Sequence, residues 1–476
     1  MSTTIESNTV VANNATQYVT TETGGSQKKL PKVKFLTFNT WGLKFVSKHR
    51  KERLRAIADK LAGDIIGTPI EELNVLNEGF NEDEGSIDDY DIVALQEIWC
   101  KEDWDYINER CKERFPYRRI FYSGILTGPG LAILSKIPID STFLYRFPIN
   151  GRPSAFFRGD WYVGKSIAIT LLKPLTPDTS PIAIMNSHMH APYAMTGDAA
   201  YECHRSCQAW DFSKMANLYK KAGYAVVIVG DLNSRPGSLP HKFLTAETGL
   251  VDSWLQLNGQ QDIVKISKMT AVDQLKVGCT TCDSQLNTWR AQRQPDEAKR
   301  LDYALIDPTK LKTVNASARF TERLPNIGSF SDHFAYTCTL ELLSKSSEQN
   351  NIVNSEDFNQ PKQLLQDRFK SYEEMLRCID KYMVTARKQK FFRGIHFIIS
   401  VFLIIACIVV TTFTANKAGW SSIFWVLFAT VVSVTGLIDG LISFLFGRSE
   451  IRALWEVEQE VRDAERHMQM VLDQHQ

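Results

Sequence analysis

The chain has no surplus of charge of either sign: 55 Lys and Arg stand against 54 Asp and Glu, a net +1 over 476 residues. A protein that grips nucleic acid by its phosphates shows a basic excess, so no nucleic-acid partner is expected. It also has no disulfide framework. Nine cysteines are an odd number, and they lack regular spacing, so they are expected as reduced thiols on the cytosolic or nuclear side of a membrane. The opening residues contain no apolar core of the kind a secretory signal needs. There is no internal repeat, no Gly-x-Ser-x-Gly elbow, and no second cysteine pair to complete a zinc site with Cys279 and Cys282. What remains is ordinary globular composition, 44% hydrophobic and 23% charged, which excludes a disordered or collagenous chain.

Beyond residue 394 the composition changes. Ile395 to Thr414 carries no charge and is about 20 residues long, enough for a helix to cross a bilayer. Trp420 to Phe446 is a second apolar run, interrupted only by Asp439. Arg387, Lys388, Lys390 and Arg393 precede the first run, Arg448 and Arg452 follow the second, and the loop between holds only Lys417. By the positive-inside rule, both outer ends of this hairpin face the cytosol. Asp439 is costly in lipid and is expected against the partner helix or near the interface.

The rest divides by pattern. Residues 1–30 read as a disordered tail, and 31–343 as a catalytic domain. A linker covers 344–361 and a charged juxtamembrane helix 362–393. Two membrane helices take 394–447, and a cytosolic helix takes 448–476. Within the catalytic domain, residues 50–62 place Leu54, Ile57, Ala58 and Leu61 on one helical face. Residues 64–91 are acidic without Lys or Arg and read as a solvated loop. Short apolar runs recur with few intervening helices. This predicts an α+β fold of packed mixed sheets flanked by helices, not a doubly wound parallel sheet.

Polar residues fall at the ends of these runs in order: Asn39; Gln96 and Glu97; Asn186, His188 and His190; Asp231 and Asn233; Asp302; Asp332 and His333. Any one of them has an ordinary explanation as a turn or solvated group. Together they form the oxygen-rich set, with imidazoles, that Mg²⁺ and phosphodiester hydrolysis require. Gly159 to Ser166 also fits the spacing of a phosphate-binding loop. However, Trp161, Tyr162 and Val163 would crowd a phosphate, and Lys165 leads into a strand, not a helix.

The segments FLTFNTWG, ALQEIW, NSHMHA, GDLNSRPGS, RLDYALID and SDHFA resemble the endonuclease/exonuclease/phosphatase superfamily typified by pancreatic deoxyribonuclease. Within it, SGILTGPGLAILSK, INGRPSAFFRGDWYVGKS and the hairpin are similar to neutral sphingomyelinases, and most of all to fungal inositol phosphosphingolipid phospholipases C. The resemblance implies a four-layer, deoxyribonuclease-like sandwich of two sheets between helix layers, with a C-terminal transmembrane hairpin. It implies a Mg²⁺-dependent phospholipase C that splits a sphingolipid into ceramide and a phosphorylated head group. By the same resemblance Glu97 is the principal Mg²⁺ ligand, supported by Asn39, and His333 is the general base, oriented by Asp302 or Asp332. Asp231 and Asn233 position water and phosphate, and either His188 or His190 stabilises the phosphate. Asp160 and Lys165 resemble a regulatory switch pair, and anionic phospholipids are the implied activators. The expected location is the endoplasmic reticulum or mitochondrial outer membrane, with the catalytic domain facing the cytosol. The alternatives are an abasic-site nuclease, an inositol phosphatase, or a catalytically inactive membrane scaffold.

Overall fold

The computed structural model describes residues 30–71, 73, 88–155, 158–345 and 361–474. The expected tail, most of the acidic stretch and most of the linker lie outside the described residues. In chain order the main strands are β1 (Lys32–Asn39), β2 (Ile92–Gln96), β3 (Tyr117–Ile120), β4 (Ala132–Ser135), β5 (Ile139–Arg146) and β6 (Ser166–Leu172). They continue as β7 (Ile182–His188), β8 (Ala225–Asp231), β9 (Val251–Asp252), β10 (Asp302–Ile306), β11 (Leu311–Arg319) and β12 (Ala335–Leu342). Two six-stranded sheets result, ordered β11-β12-β1-β2-β4-β3 and β5-β6-β7-β8-β10-β9. Each is mixed, with one parallel pair, β1/β2 or β7/β8, among antiparallel neighbours.

The two-residue period of each strand explains the layering. On β1, Val33 and Phe35 enter the core between the sheets, while Leu36 and Phe38 face outward. That outer face is covered by α1 (Arg50–Ala62) and α2 (Lys101–Arg110) through Leu54, Ile57, Leu61, Trp104 and Ile107. On β8, Val227 and Val229 face the first sheet. Val226 and Ile228 face the other way, towards Cys207, Trp210 and Phe212 of α3 (Glu202–Lys221). The expected helix–sheet–sheet–helix sandwich is therefore the observed one.

Four strands were not anticipated: the two-residue β9, and β3, β5 and β11. The last three are charged or half-exposed along much of their length, so none carries an apolar run.

The C-terminal part departs further from expectation. Helix α4 (Lys362–Thr414) runs unbroken for 53 residues, through the boundary placed at 393/394. Nothing interrupts it there; Gly394 is buried, packed against Ser443. Its partner comprises α5 (Ser421–Leu441), a π turn at Ile442–Phe446, and α6 (Gly447–Gln474). Both helices are long and apolar enough to cross a membrane, and their apolar windows are 11% buried in the protein. Gly436 and Gly440 allow the pair to pack closely: a Cβ on Gly436 would fall 2.5 Å from that of Ser400. Asp439 faces the partner helix, ion-paired to Arg393 and 2.9 Å from His396 Nδ1.

The lower halves do not hang free. Tyr372, Met375 and Ile379 of α4 and Leu454, Val457 and Val461 of α6 join the same core as Trp210 and Phe212. They form a further layer on the catalytic domain. The Trp210 indole N–H and the Lys214 ammonium both donate to Glu460, at 2.7 and 2.5 Å.

Candidate active site

The topology concentrates polar residues at one end of the sandwich. Parallel strands β1 and β2 end together at Asn39 and Gln96, and β7 and β8 end together at His188 and Asp231. The antiparallel β10 begins at Asp302, directly opposite Asp231. His333 stands just before β12, which runs antiparallel to β1. The expected strand ends thus meet where the apolar runs stop.

The central contacts form a continuous array. His333 Nδ1 lies 2.9 Å from Asp302 Oδ2, and its Nε2 lies 3.9 Å from Asp231 Oδ2. The Asn39 amide donates to Asp231 Oδ2 at 3.0 Å and to Glu97 Oε1 at 3.1 Å, tying one sheet to the other. Trp99 Nε1 donates to Glu97 Oε2 at 3.3 Å. His188 Nε2 sits 3.6 Å from Asp231 Oδ2. Asn233 caps the other Asp231 oxygen with its backbone N–H at 3.0 Å, while its side-chain amide donates to Met189 O. Glu97 and Asn233 both hold left-handed backbone, with φ 64° and 47°. Non-glycine residues pay in strain for that conformation, which is common at functional sites.

Electrostatics follow from burial. Burial raises the Glu97 carboxyl, and the nearby charge of Asp332 raises it further against the opposing pull of Lys165. Burial also raises Asp231, with His333 opposing. His188 is held well below its usual value by burial and by the charges of Lys165, His333 and His190. Burial lowers His333, but the charges of Cys282, Asp302 and Asp231 outweigh it, and the net direction is upward. The two imidazoles are thus pushed in opposite directions, His333 towards its charged form and His188 towards its neutral form.

The alternatives that the sequence leaves open differ in their contacts. Asp302 is bonded to His333; Asp332 instead pairs with Arg290 at 2.5 Å. His188 joins Asp231, whereas His190 lies beyond the end of β7, stacked 3.9 Å from Tyr201 and bonded to Ala191 O. Asp160 and Lys165 pair at 3.1 Å, and the Tyr193 hydroxyl donates to Asp160 at 2.9 Å.

Arg53 was missed, and Gln96 and Asn186 were named at the run ends without a role. The Arg53 guanidinium donates to the carbonyls of Thr40, Trp41, Lys48 and Phe330, pinning the loops around Asn39 and His333. Gln96 donates to Asn186 at 2.8 Å across the sheets. Arg53 read as an ordinary charged helix residue, and its four acceptors are backbone atoms that leave no mark in a sequence.

The donor set suits a hard cation. One ligand atom from each of Asp231, Asp302 and His333 lies within 4.8 Å of the others. These are oxygens with a single imidazole, and no thiolate takes part. Glu97, crowded by Asp332, is a third carboxylate that a cation would relieve. The candidate cluster therefore differs from the sequence-predicted pair Glu97–Asn39, and the Asn39 amide links the two. The Asn39 carbonyl oxygen already accepts the Trp41 N–H at 3.0 Å, leaving one lone pair for a ligand role.

The Endonuclease/Exonuclease/phosphatase family matches residues 36–333, the span that holds both sheets' central strands and the whole array. The chain is 66% identical over 444 residues to the inositol phosphosphingolipids phospholipase C of Saccharomyces cerevisiae, covering 93% of this chain and 92% of that protein. It is 34% identical to the Schizosaccharomyces pombe protein of the same name, over 92% of this chain and 95% of the relative. Sphingomyelin phosphodiesterase 2 of Mus musculus is 28% identical over 65% of each chain. The chain therefore belongs to the endonuclease/exonuclease/phosphatase family, alongside the inositol phosphosphingolipid phospholipases C.

Proposed function

We propose that this protein is a membrane-anchored, Mg²⁺-dependent phospholipase C that hydrolyses inositol phosphosphingolipids, and sphingomyelin as well, to ceramide and a phosphorylated head group. The observation that carries the reading is the likeness to the yeast phospholipase over 93% of the chain, hairpin included.

Hydrolysis needs a water in line with the ceramide oxygen, a group to take its proton, and charge around the phosphoryl oxygens. His333 takes the proton at Nε2, and Asp302 at Nδ1 fixes the tautomer and steadies the imidazolium that forms. Asp231, next to Nε2, holds the water, and Asn233 contacts the phosphate from the same turn. His188 faces the phosphoryl oxygens. When bound, Mg²⁺ would supply Lewis-acid stabilisation of the phosphoryl oxygens and the leaving alkoxide, held by Glu97 with Asn39 beside it. Lys165 lends further positive charge when released from Asp160, which gives that ion pair its switching role.

The hairpin holds the cleft at the headgroup layer, where substrate arrives by lateral diffusion. Arg387 and Lys390, on an apolar groove at the base of the hairpin, receive anionic phospholipid activators. The protein resides in the endoplasmic reticulum or mitochondrial outer membrane, with its catalytic domain in the cytosol.

The test is release of ceramide by the full-length protein from mixed micelles of phosphoinositol-ceramide. Expected are dependence on Mg²⁺, abolition by EDTA, and loss of roughly 10²-fold or more in His333→Ala. Cleavage of abasic DNA with no lipid turnover would overturn the proposal.

A further inference from the structure

From Ile120 to Ser135 the chain carries no charged residue, and the loop between β3 and β4 lies within this stretch. Its tip turns Tyr122, Ile125 and Leu126 outward, 73%, 57% and 72% exposed. Single exposed apolar groups are ordinary, but a cluster on one uncharged loop marks a contact surface.

The surroundings of the tip decide which partner covers it. The Ile125 and Leu126 N–H groups donate to the Tyr162 carbonyl at 2.8 and 3.3 Å. Gly124 permits this approach: at φ 77°, a Cβ there would fall 2.3 Å from the Val163 carbonyl oxygen. The adjoining Trp161 packs on Phe446, the last residue of the second apolar run, with ring centroids 4.8 Å apart. At that level the hairpin passes from charged to uncharged sequence: Ser443 Oγ donates to the Lys390 carbonyl at 2.7 Å and packs on Gly394. The tip is therefore fixed, through Trp161 to Val163, to the end of the hairpin where the apolar runs meet the catalytic domain. The loop after β7 is set further back. There Asp198 bonds Thr385 of α4 at 2.9 Å, about 12 Å of helix before Arg393.

The other end of the same loop reaches the array. The Gly130 carbonyl accepts the Ile98 N–H at 3.0 Å. Gly130 also lies on the Trp99 ring, where a Cβ would fall 2.8 Å from the nearest ring atom, and Trp99 in turn holds Glu97. From Ile125 to Gly130 the chain spans at most about 18 Å. One short loop thus joins the edge of the apolar hairpin to the Glu97 side of the array. Its tip is suited to leave water: the N–H groups of Ile125 and Leu126 are satisfied within the protein, and no charge has to be dehydrated. Tyrosine, as at Tyr122, settles readily at a membrane–water boundary.

We infer that Tyr122, Ile125 and Leu126 form a second contact with the host bilayer: they enter the boundary between headgroups and acyl chains beside the hairpin and hold the mouth of the cleft on the lipid surface. This rests on the membrane-anchored reading and adds the part of the catalytic domain that touches lipid. The hairpin fixes the protein to the membrane, and the loop brings the Glu97 side of the cleft down to it.

The test reconstitutes the full-length protein in phosphatidylcholine vesicles with bromine atoms high on the acyl chains, and in the same vesicles without them. The emission added by Leu126→Trp is expected to be quenched by the bromines. That added by Leu218→Trp is not, because Leu218 is exposed near the opposite end of α3 from the His204–Glu450 contact with the hairpin's α6. Equal quenching of the two would overturn the contact. The native tryptophans, Trp420 and Trp425 of the hairpin among them, keep the two claims apart. Quenched wild-type emission with no added quenching at residue 126 removes the loop and leaves the anchor. Unquenched wild-type emission removes the anchor, and the loop then stands or falls on residue 126 alone. A second readout compares turnover of phosphoinositol-ceramide in the enzyme's own vesicles with turnover of a short-chain, water-dispersed analogue. In the double variant Ile125→Asn, Leu126→Asn this ratio is expected to fall at least about tenfold, the scale of one apolar side chain withdrawn from lipid. A ratio unchanged within about twofold would overturn the loop's hold on the cleft mouth.

Discussion

Asn39 donates one side-chain amide to two carboxylates from different sheets, and this decides how the neighbouring charges are divided. Asp231 and Glu97 are kept apart, and His333 is left to Asp302 and Asp231. If His333 is the base, its proton affinity sets the pH profile. The charges around it hold its pKa above the ordinary 6.5 despite burial, so the free base accumulates only above that value and kcat/KM climbs with pH. Asp302→Asn removes one raising charge. The limb is then expected to move to lower pH while kcat falls by about 10²-fold, and an unmoved limb in the rate profile would refute the assignment. These residues were legible in the sequence because polar groups at the ends of apolar runs must gather where strands end. The choice between Asp302 and Asp332 was not. It depends on Arg290, 42 residues from Asp332 in the chain, whose ion pair only the fold creates.

At the scale of elements, the central strands were readable from their apolar runs, and the edge strands were not. Tyr117–Ile120 has alternating exposed positions filled by Tyr and Arg, so burial left no periodic signal. The two long C-terminal helices were readable as helices, but their docking was not. Charged residues dominate 362–393 and 448–474, and this reads as a solvated face until the partner surface around Trp210 is known. Leu454 is fully buried in that layer. Leu454→Ala is expected to cost about 2–5 kcal/mol, as large-to-small core changes do. Thermal unfolding of the detergent-solubilised protein, followed through the catalytic domain's tryptophans, measures it. A catalytic domain that unfolds at the wild-type temperature would show the layer to be dispensable. The same docking makes residue 361 a poor place to cut the chain, because the cut strips the apolar side of α3 around Trp210 of its cover.

For the molecule as a whole, the near-neutral charge and the paired apolar runs excluded most classes before any motif was considered. The fold then set the strand ends that carry the array side by side in the second sheet, next to the strand whose leading segment touches the hairpin. No sequence pattern announces that arrangement, because it arises from strand order, in which β7, β8 and β10 lie beyond β6. The unbroken passage of α4 from the apolar run into the catalytic core has a further result. Because α4 is one continuous helix packed on that core, the cleft is expected at one height above a host bilayer. Reconstituted in one set of vesicles and mixed with a second set carrying labelled substrate, the enzyme is expected to consume only the lipid of its own vesicles. Equal consumption in both would contradict a rigid mount. Diluting the suspension with buffer should then leave turnover per enzyme unchanged, whereas diluting the host membrane with inert lipid should slow it: the quantity this catalyst senses is molecules per unit area.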